Sequence, residues 1–357
     1  MSCRYVVLLP VRAAVMRRGS VGEVQTGRLV VISVTGALLA GCTGGDGGDG
    51  LGGDDADRTG SGRPRTSSSS GVSTPAATRS ETPTTPPEPA GPSVFDPAAA
   101  MSTVRTLARG GAREATSLGY LRAAARVQQR FTGLGFVTRR QAFRVPAGES
   151  WGIAVGSGRT YNVVAVPPGF DPARPHLVVG AHLDTVPQSP GAEDNGSGVA
   201  VLLELARTVT PGTTRLPVVW VAFGAEEPRG PGDDEHHFGS QEYVRRLDGG
   251  ERAALRGMVS LDRVGAPGRV PVCTGGLAPP RLRRELLAAA ERAGVPVRAC
   301  DNRTSDHWPF EKAGETVARV GGNDSPGYHS PRDRPSTVSP RQLDRVGRVL
   351  VEWLRPG

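Results

Sequence analysis

The side chains that could bind a metal or move a proton are concentrated at a few points of this 357-residue sequence. The stretch "GAEEPRGPGDDEHHFGS", residues 224–240, holds five acids and two histidines: Glu226, Glu227, Asp233, Asp234, Glu235, His236 and His237. Upstream, "AHLDTVPQSPGAEDNGSG" offers His182 and Asp184, then Asp194 in a glycine-rich loop. Downstream, "SLDRVG" supplies Asp262 and "GYHSPRDRPSTV" supplies His329. Residues two apart on a strand face the same way. His182 therefore reads as a metal ligand whose second ring nitrogen donates to the Asp184 carboxylate, a partner that fixes tautomer and ring orientation. Two adjacent glutamates can divide their work, one binding a cation and its neighbour taking a proton from water. Two histidines and three carboxylates as direct ligands, with one carboxylate left free, suit two zinc ions bridged by a carboxylate. Imidazole and carboxylate donors without thiolate fit a catalytic zinc site better than a structural one.

These residues need elements that bring them together. The runs "TYNVVAVPPG", "HLVVGAHLDT", "PVVWVAFGAEE", "GMVSLDRVG" and "RVPVCTGG" read as strands, and "LGYLRAAARVQQRFTGLG", "SGVAVLLELARTV" and "PRLRRELLAAAERAG" read as helices. A last helix covers "SPRQLDRVGRVLVEWL", with Ser339 as N-cap and Pro340 at its first position. Unbroken apolar strands alternating with helices predict one three-layer α/β/α domain, with a mostly parallel, mixed central sheet covered on both faces. Ligand sites in such sheets lie at the carboxyl ends of the strands. His182 and Asp184, the Glu226–Glu227 pair, and Asp262 each follow an apolar run, so their strand ends can converge on one rim.

The ordered set "AHLDT", "GAEDNGSG", "AFGAEE", "SLDRVG", "SDHWPF" and "YHSPRD" resembles the dizinc aminopeptidases of the bacterial leucyl aminopeptidase type, clan MH zinc exopeptidases, over most of residues 100–357. The resemblance implies two zinc ions per chain, one on His182 and Asp262, the other on Glu227 and His329, with Asp194 bridging. It makes Glu226 the general base, Asp184 the partner of His182, and Tyr328 a stabiliser of the oxyanion. Peptides are the implied substrates and the chain is expected to be a monomer. The aminoacylase-like amidohydrolases share the ligand order but insert a dimerisation domain after the glutamate pair. The 35 positions from Glu227 to Asp262 leave no room for one. Two alternatives remain on the same scaffold. A glutaminyl-cyclase-like acyltransferase would use one zinc and usually carries Trp where Tyr328 stands. A non-catalytic binding domain would be expected to have lost ligands, and none is lost here.

The sequence departs from that family after the glutamate pair, where residues 228–237 lengthen a usually short link. Asp233, Asp234, Glu235, His236 and His237 are expected there as solvated charges at the rim of the site. Arg263 stands where an apolar residue is common in the family. In "SDHWPF", Asp306, His307 and Trp308 are expected to shape the pocket wall without binding metal. Cys273 and Cys300 are the only cysteines of the folded part, and form a candidate disulfide if the compartment is oxidising.

Arginine and lysine total 43, yet Lys312 is the only lysine, an imbalance that points to genome composition rather than to a nucleic-acid surface. Half of the net charge of +8 lies within residues 1–42, which leaves a weak case for a polyanionic partner, and no nucleic acid is expected. Residues 1–42 read as a lipoprotein signal peptide. Arg17, Arg18 and Arg28 precede "LVVISVTGALLAGC", a run too short to span a bilayer. Its "LLAGC" end resembles the bacterial lipoprotein cleavage site, which makes Cys42 the acylated first residue and the membrane anchor on the outer face of the cell membrane. Met16 offers a second start. Residues 43–93 are rich in Gly, Asp, Ser, Thr and Pro, with too little apolar surface to offset ordering, and read as a disordered tether. The catalytic domain is expected over 94–357.

Overall fold

The structure is a computed structural model that describes residues 94–356 apart from 210, 211, 323, 324 and 326. The expected signal peptide at 1–42, with the expected anchor Cys42 and the second start Met16, and the expected tether at 43–93 lie outside the described residues. In chain order the elements are α1 (Pro97–Arg109), α2 (Leu118–Gly133), β1 (Val137–Val145), the hairpin β2 (Gly148–Ser150) and β3 (Ile153–Val155), β4 (Gly158–Val166), β5 (His176–His182) and α3 (Gly198–Thr208). There follow β6 (Val218–Phe223), α4 (Phe238–Arg246), α5 (Gly249–Ala254), β7 (Leu255–Leu261), β8 (Val270–Thr274), α6 (Arg281–Arg292), β9 (Val297–Asp301), α7 (His307–Lys312), β10 (Val317–Val320) and α8 (Pro340–Leu354).

Eight strands form one sheet in the order β1-β4-β6-β5-β7-β10-β8-β9. β5 runs parallel to both β6 and β7, and β7 parallel to β10. β1 pairs antiparallel with β4, and β4 with β6. The sheet is therefore mixed, with a parallel centre. β5 and β6 read "HLVVGAH" and "VVWVAF" and are buried along their whole length, because both of their faces are covered. Alternation assigns the faces. Leu177, Val179, Trp220, Ala222, Val259 and Leu261 join the core built by α1, α2, α3, α6 and α8. Val178, Val219, Val221, Phe223 and Met258 face Tyr243 and Val244 of α4 and Phe310 of α7. Each Val, Leu, Met or Phe side chain among them contributes about 1.5–3 kcal/mol when removed from water. Gly180 is required by packing, since a Cβ there would run into the Phe223 ring on β6.

The helices begin as their cap residues dictate. Asp96 accepts from the N–H groups of Ala98 and Ala99 at the start of α1, and Ser117 accepts from Tyr120 at the start of α2. Ser339 stands at the N-cap of α8 with Pro340 behind it, but its hydroxyl makes no capping bond. Its carbonyl accepts from Gln342 and Leu343 instead. No described helix is long and apolar enough to cross a membrane.

Cys273 of β8 and Cys300 of β9 are disulfide-bonded, with Cα atoms 4.4 Å apart in directly paired positions. The bond ties the last strand of the sheet to its neighbour and closes a loop of sequence separation 27. Loop-closure entropy for that length corresponds to about 3–4 kcal/mol. The double variant Cys273→Ser/Cys300→Ser is expected to lose that much in denaturant unfolding, and reduction of the native protein should produce a similar loss. A loss of less than about 1 kcal/mol in both would mean that β9 is held by packing alone.

Candidate metal centre

β5, β6 and β7 lie side by side in parallel, so their carboxyl ends open onto one edge of the sheet. β5 ends on His182. β6 ends on Phe223, and the chain turns through Gly224 and Ala225, the latter at φ +55, before Glu226 and Glu227. β7 ends on Leu261, and Asp262 follows. Asp194 sits in the turn Ala192–Ser197 that leads into α3, and His329 at φ +50 lies in the segment between β10 and α8.

These residues meet. His182 Nε2 is 3.2 Å from Asp194 Oδ1 and 3.6 Å from Asp262 Oδ1. His329 Nε2 is 3.0 Å from Asp194 Oδ2 and 3.2 Å from Glu227 Oε2. Asp194 thus offers one oxygen to each histidine. In the groups His182–Asp194–Asp262 and Asp194–Glu227–His329, the donor atoms lie within 4.8 Å of one another, as metal ligands must. His182, Glu226 and Glu227 meet the same spacing because Glu226 stands beside the first group, its Oε2 3.9 Å from His182 Nε2. Fit to a cation is supported by atoms that lack hydrogen-bond partners: Glu227 Oε1 and Asp262 Oδ1 are buried and have none. Buried polar atoms are rarely left so, and an acceptor-only oxygen in that state suits a cation.

Electrostatics follow from crowding acids out of water. Burial pushes the carboxyls of Glu226 and Glu227 up, and neighbouring acids add to the shift while His182 and His329 oppose it. Burial opposes protonation of His182, but the charge of Glu226 and the bonds to Asp184, Asp194 and Asp262 outweigh it and hold the imidazole well above its ordinary range. His329 behaves alike, burial being overcome by Glu227 and Asp194. Asp262 is held low against burial, chiefly by the guanidinium of Arg319.

Asp184 takes a different part from the one its spacing predicts. Its two carboxylate oxygens accept the N–H groups of Glu226 and Glu227, each at 3.1 Å. His182 Nδ1 is 3.2 Å from the backbone carbonyl of Asp184 and 3.8 Å from its carboxylate. β5 has ended by then, so the two side chains no longer share a strand face, and two backbone donors claim the carboxylate. Asp184 still orients His182, through its main chain, while its side chain fixes the glutamate pair. Tyr328 stacks on the His329 ring at 3.6 Å, with the Arg263 guanidinium 4.4 Å from the centre of its own ring.

A cavity of about 510 Å³ opens over the ligands. Trp151, Pro228, Pro231, Arg263, Thr304 and Tyr328 help line it. Asp306, His307 and Trp308 do not, contrary to the expectation that they form its wall. His307 Nε2 is turned to the Asn302 carbonyl at 2.8 Å, and Trp308 Nε1 donates to Asp233 at 2.9 Å. α7 draws these side chains behind the site, and only Thr304 before it reaches the cavity. In the lengthened loop Asp233, Asp234 and Glu235 are exposed as expected, with Asp233 bound to Trp308 and Lys312, but His237 is buried with Nε2 3.3 Å from Glu226 Oε1. Burial pushes the His237 imidazole down to about 4.

Four supporting residues escaped the sequence reading. Arg319 of β10 is fully buried, with Nη2 3.1 Å from Asp262 Oδ2; an arginine inside the run "VARV" was its only signal. Asp333 accepts the N–H groups of Glu193 and Asp194 at 2.8 and 3.0 Å, and so fixes the turn that carries Asp194. It lies within the quoted "YHSPRD". Asn195 donates to the Leu261 carbonyl at 2.8 Å and accepts from Arg263 N–H at 3.2 Å, joining that turn to the end of β7. Trp151, in the turn of the β2–β3 hairpin, lies 4.4 Å from the His329 ring and nothing near it in sequence announces the site.

The chain is similar in sequence and in fold to known proteins. The chain is 31% identical over 202 residues to aminopeptidase YwaD of Bacillus subtilis, covering 53% of this chain and 43% of that protein. It is 32% identical over 226 residues to leupeptin-inactivating enzyme 1 of Streptomyces exfoliatus, covering 61% and 46%. The matched part thus spans less than half the length of either relative. Among solved structures, a zinc aminopeptidase of Bacillus subtilis superposes with a TM-score of 0.64 at 19% identity, over 72% of this chain and 94% of that one. A glutaminyl cyclase of Fimbriiglobus ruber superposes with a TM-score of 0.62 at 25% identity, over 75% and 98%. The fold is shared by both activities. The pattern of peptidase family M28 matches residues 162–354, a range that contains every ligand candidate from His182 to His329, and the chain belongs to that family.

Proposed function

We propose that this chain is a zinc-dependent aminopeptidase holding two zinc ions, one on His182 and Asp262, the other on Glu227 and His329, with Asp194 between them. The observation that carries the reading is the divided carboxylate of Asp194, whose two oxygens lie 3.2 and 3.0 Å from two different histidines. Zinc, when bound, supplies Lewis acidity that polarises a substrate carbonyl and acidifies water. Glu226 is the free carboxylate beside that pair. It takes a proton from the attacking water and returns it to the departing amine. Asp184 holds the backbone of Glu226 and Glu227, so the base and its neighbouring ligand keep a fixed spacing. Tyr328 lines the cavity, and in this reading its hydroxyl stabilises the developing oxyanion. Asp194, Glu226 and Glu227 also give the cavity an acidic floor that attracts a free α-ammonium group.

The wider setting belongs to the same proposal. The chain is a monomer that acts on peptides outside the cytoplasm, tethered to the membrane surface by lipid on Cys42. Support comes from the "LLAGC" sequence and the linker composition.

Glu226→Gln is expected to lower kcat by about 10²- to 10⁴-fold while zinc content stays at the native value. Near-native turnover by this variant would remove Glu226 from the mechanism. Metal analysis of the native protein should count two zinc ions per chain, and His329→Ala should lose one of them. A count of one in the native protein, together with cyclisation of N-terminal glutamine, would favour the acyltransferase activity of the second structural relative. Across a panel of peptides, those with a free N-terminus should be cleaved and their N-acetylated forms spared, and chelation should abolish cleavage until zinc is restored. Equal cleavage of the blocked forms would overturn the aminopeptidase reading.

A further inference from the structure

His237 has no task in the reaction as described above, yet it is buried and lies against the residue that moves the proton. It closes the lengthened 228–237 loop. Its N–H donates to the Glu226 carbonyl at 2.9 Å, and the N–H of Phe238 donates to the Ala225 carbonyl at 2.8 Å, so the loop returns alongside the segment it left. His237 adopts φ +58, a left-handed conformation uncommon for a residue other than glycine. Its carbonyl accepts from Ser240 Oγ at 3.1 Å and from the N–H of Gln241 at 2.9 Å, which holds that conformation at the start of α4. The outcome is a ring turned inward, with Nε2 3.3 Å from Glu226 Oε1.

With Glu226 ionised, as a general base must be, a bare ring nitrogen facing it would set two acceptors against each other, so Nε2 must carry the hydrogen in that state. The neutral Nε2–H tautomer and the imidazolium both carry a hydrogen on Nε2. The other carboxylate oxygen, Oε2, points the opposite way and lies 3.9 Å from His182 Nε2 on the ligand side. A carboxylate free to rotate presents its two oxygens in turn and at variable angles. One held by a single donor presents the same atom each time.

We propose that His237 is a positioning residue: its Nε2–H anchors Oε1 of Glu226 and leaves Oε2 as the atom that accepts the proton. The inference rests on the reading of Glu226 as general base. It gives the lengthened loop a purpose, since the loop carries a hydrogen-bond donor to the back of the base. No bond in the substrate is made or broken by His237, and the proton it holds is not transferred.

The test compares His237→Phe, which keeps a planar ring without a donor, with His237→Gln, which restores an N–H donor, in the zinc-loaded full chain. His237→Phe is expected to lower kcat by about 10- to 100-fold, with KM, zinc content and melting temperature near native values. His237→Gln should recover most of that loss. In the Glu226→Gln background, His237→Phe should cost nothing further, because the two residues act as a unit. The proposal is overturned if His237→Phe stays within about twofold of native kcat, if the Gln variant is no better than Phe, or if zinc is lost with the ring. A native protein that cleaves no peptide of the panel would defeat the peptidase reading, and 15N NMR of the imidazole then decides the inference. An Nε2–H signal that moves on Glu226→Ala supports it, and a His237 protonated at Nδ1, or a signal indifferent to that substitution, overturns it.

Discussion

Everything at this site depends on keeping five acids out of water in one small volume. Asp184, Asp194, Glu226, Glu227 and Asp262 are all buried, and all stand at the ends of the central strands or on the turn beside them. Burying an ionised carboxylate costs several kcal/mol even after relaxation, and like charges at short range add to that cost. The protein offsets the cost in three ways. Backbone N–H groups bind Asp184, and also the nearby Asp333. Arg319 and Arg263 lie against Asp262 at 3.1 and 3.7 Å. The remaining negative charge is gathered around two imidazoles and has oxygens without partners, a donor set that could hold a metal ion. The same concentration of charge that opposes folding gives the site its affinity for metal.

The sheet order is what makes that concentration possible. With β5 between β6 and β7, His182, the glutamate pair and Asp262 leave adjacent strands on the same edge. β10 lies next to β7, and it brings Arg319 to Asp262 from the far side. Asp194 and His329 come from outside the strands, and each is fixed by other contacts. The turn carrying Asp194 is held by Asp333, which follows His329 by four residues, so the two outlying ligand segments are bonded to each other. Displacing one would therefore disturb the other. The placement of Asp194 between His182 and His329 is set by this cross-connection as much as by the strand ends.

The central strands and the candidate ligands at their ends were legible in sequence because a fully buried strand is an unbroken apolar run, and a charged residue at its end stands out. The outer strands were not. β1 reads "VTRRQAFRV" and β9 "VRACD", with charges that suit an edge open to solvent but break the apolar signal. β10 spans four residues and contains Arg319, so local pattern alone could not mark it as a central strand. The residues singled out by spacing do meet, with contacts partly different from those expected. His182 and Asp184 are together, but the strand ends between them and the carboxylate turns to the Glu226 and Glu227 backbone. The reading of 233–237 as solvated charge failed at His237 for a non-local reason. Whether that side chain faces water depends on the loop pairing back onto residues 225 and 226, which no local window contains.

The same loop also governs the mouth of the cavity, through a residue that looks like ordinary surface charge in sequence. Arg229 is buried and donates to the carbonyls of Pro146 and Gly156 at either base of the β2–β3 hairpin, each at 2.7 Å, while its other nitrogen pairs with Glu114. The hairpin answers through the N–H of Glu149, which donates to the Arg229 carbonyl at 3.1 Å. The hairpin places Trp151 against His329, and the loop places His237 against Glu226. One guanidinium thus couples the wall over a candidate ligand to the wall over the candidate base. To move either wall alone, the chain would have to leave a buried charge without its acceptors, a cost of several kcal/mol. The lengthened link after the glutamate pair is thus bonded to the hairpin on the other side of the cavity.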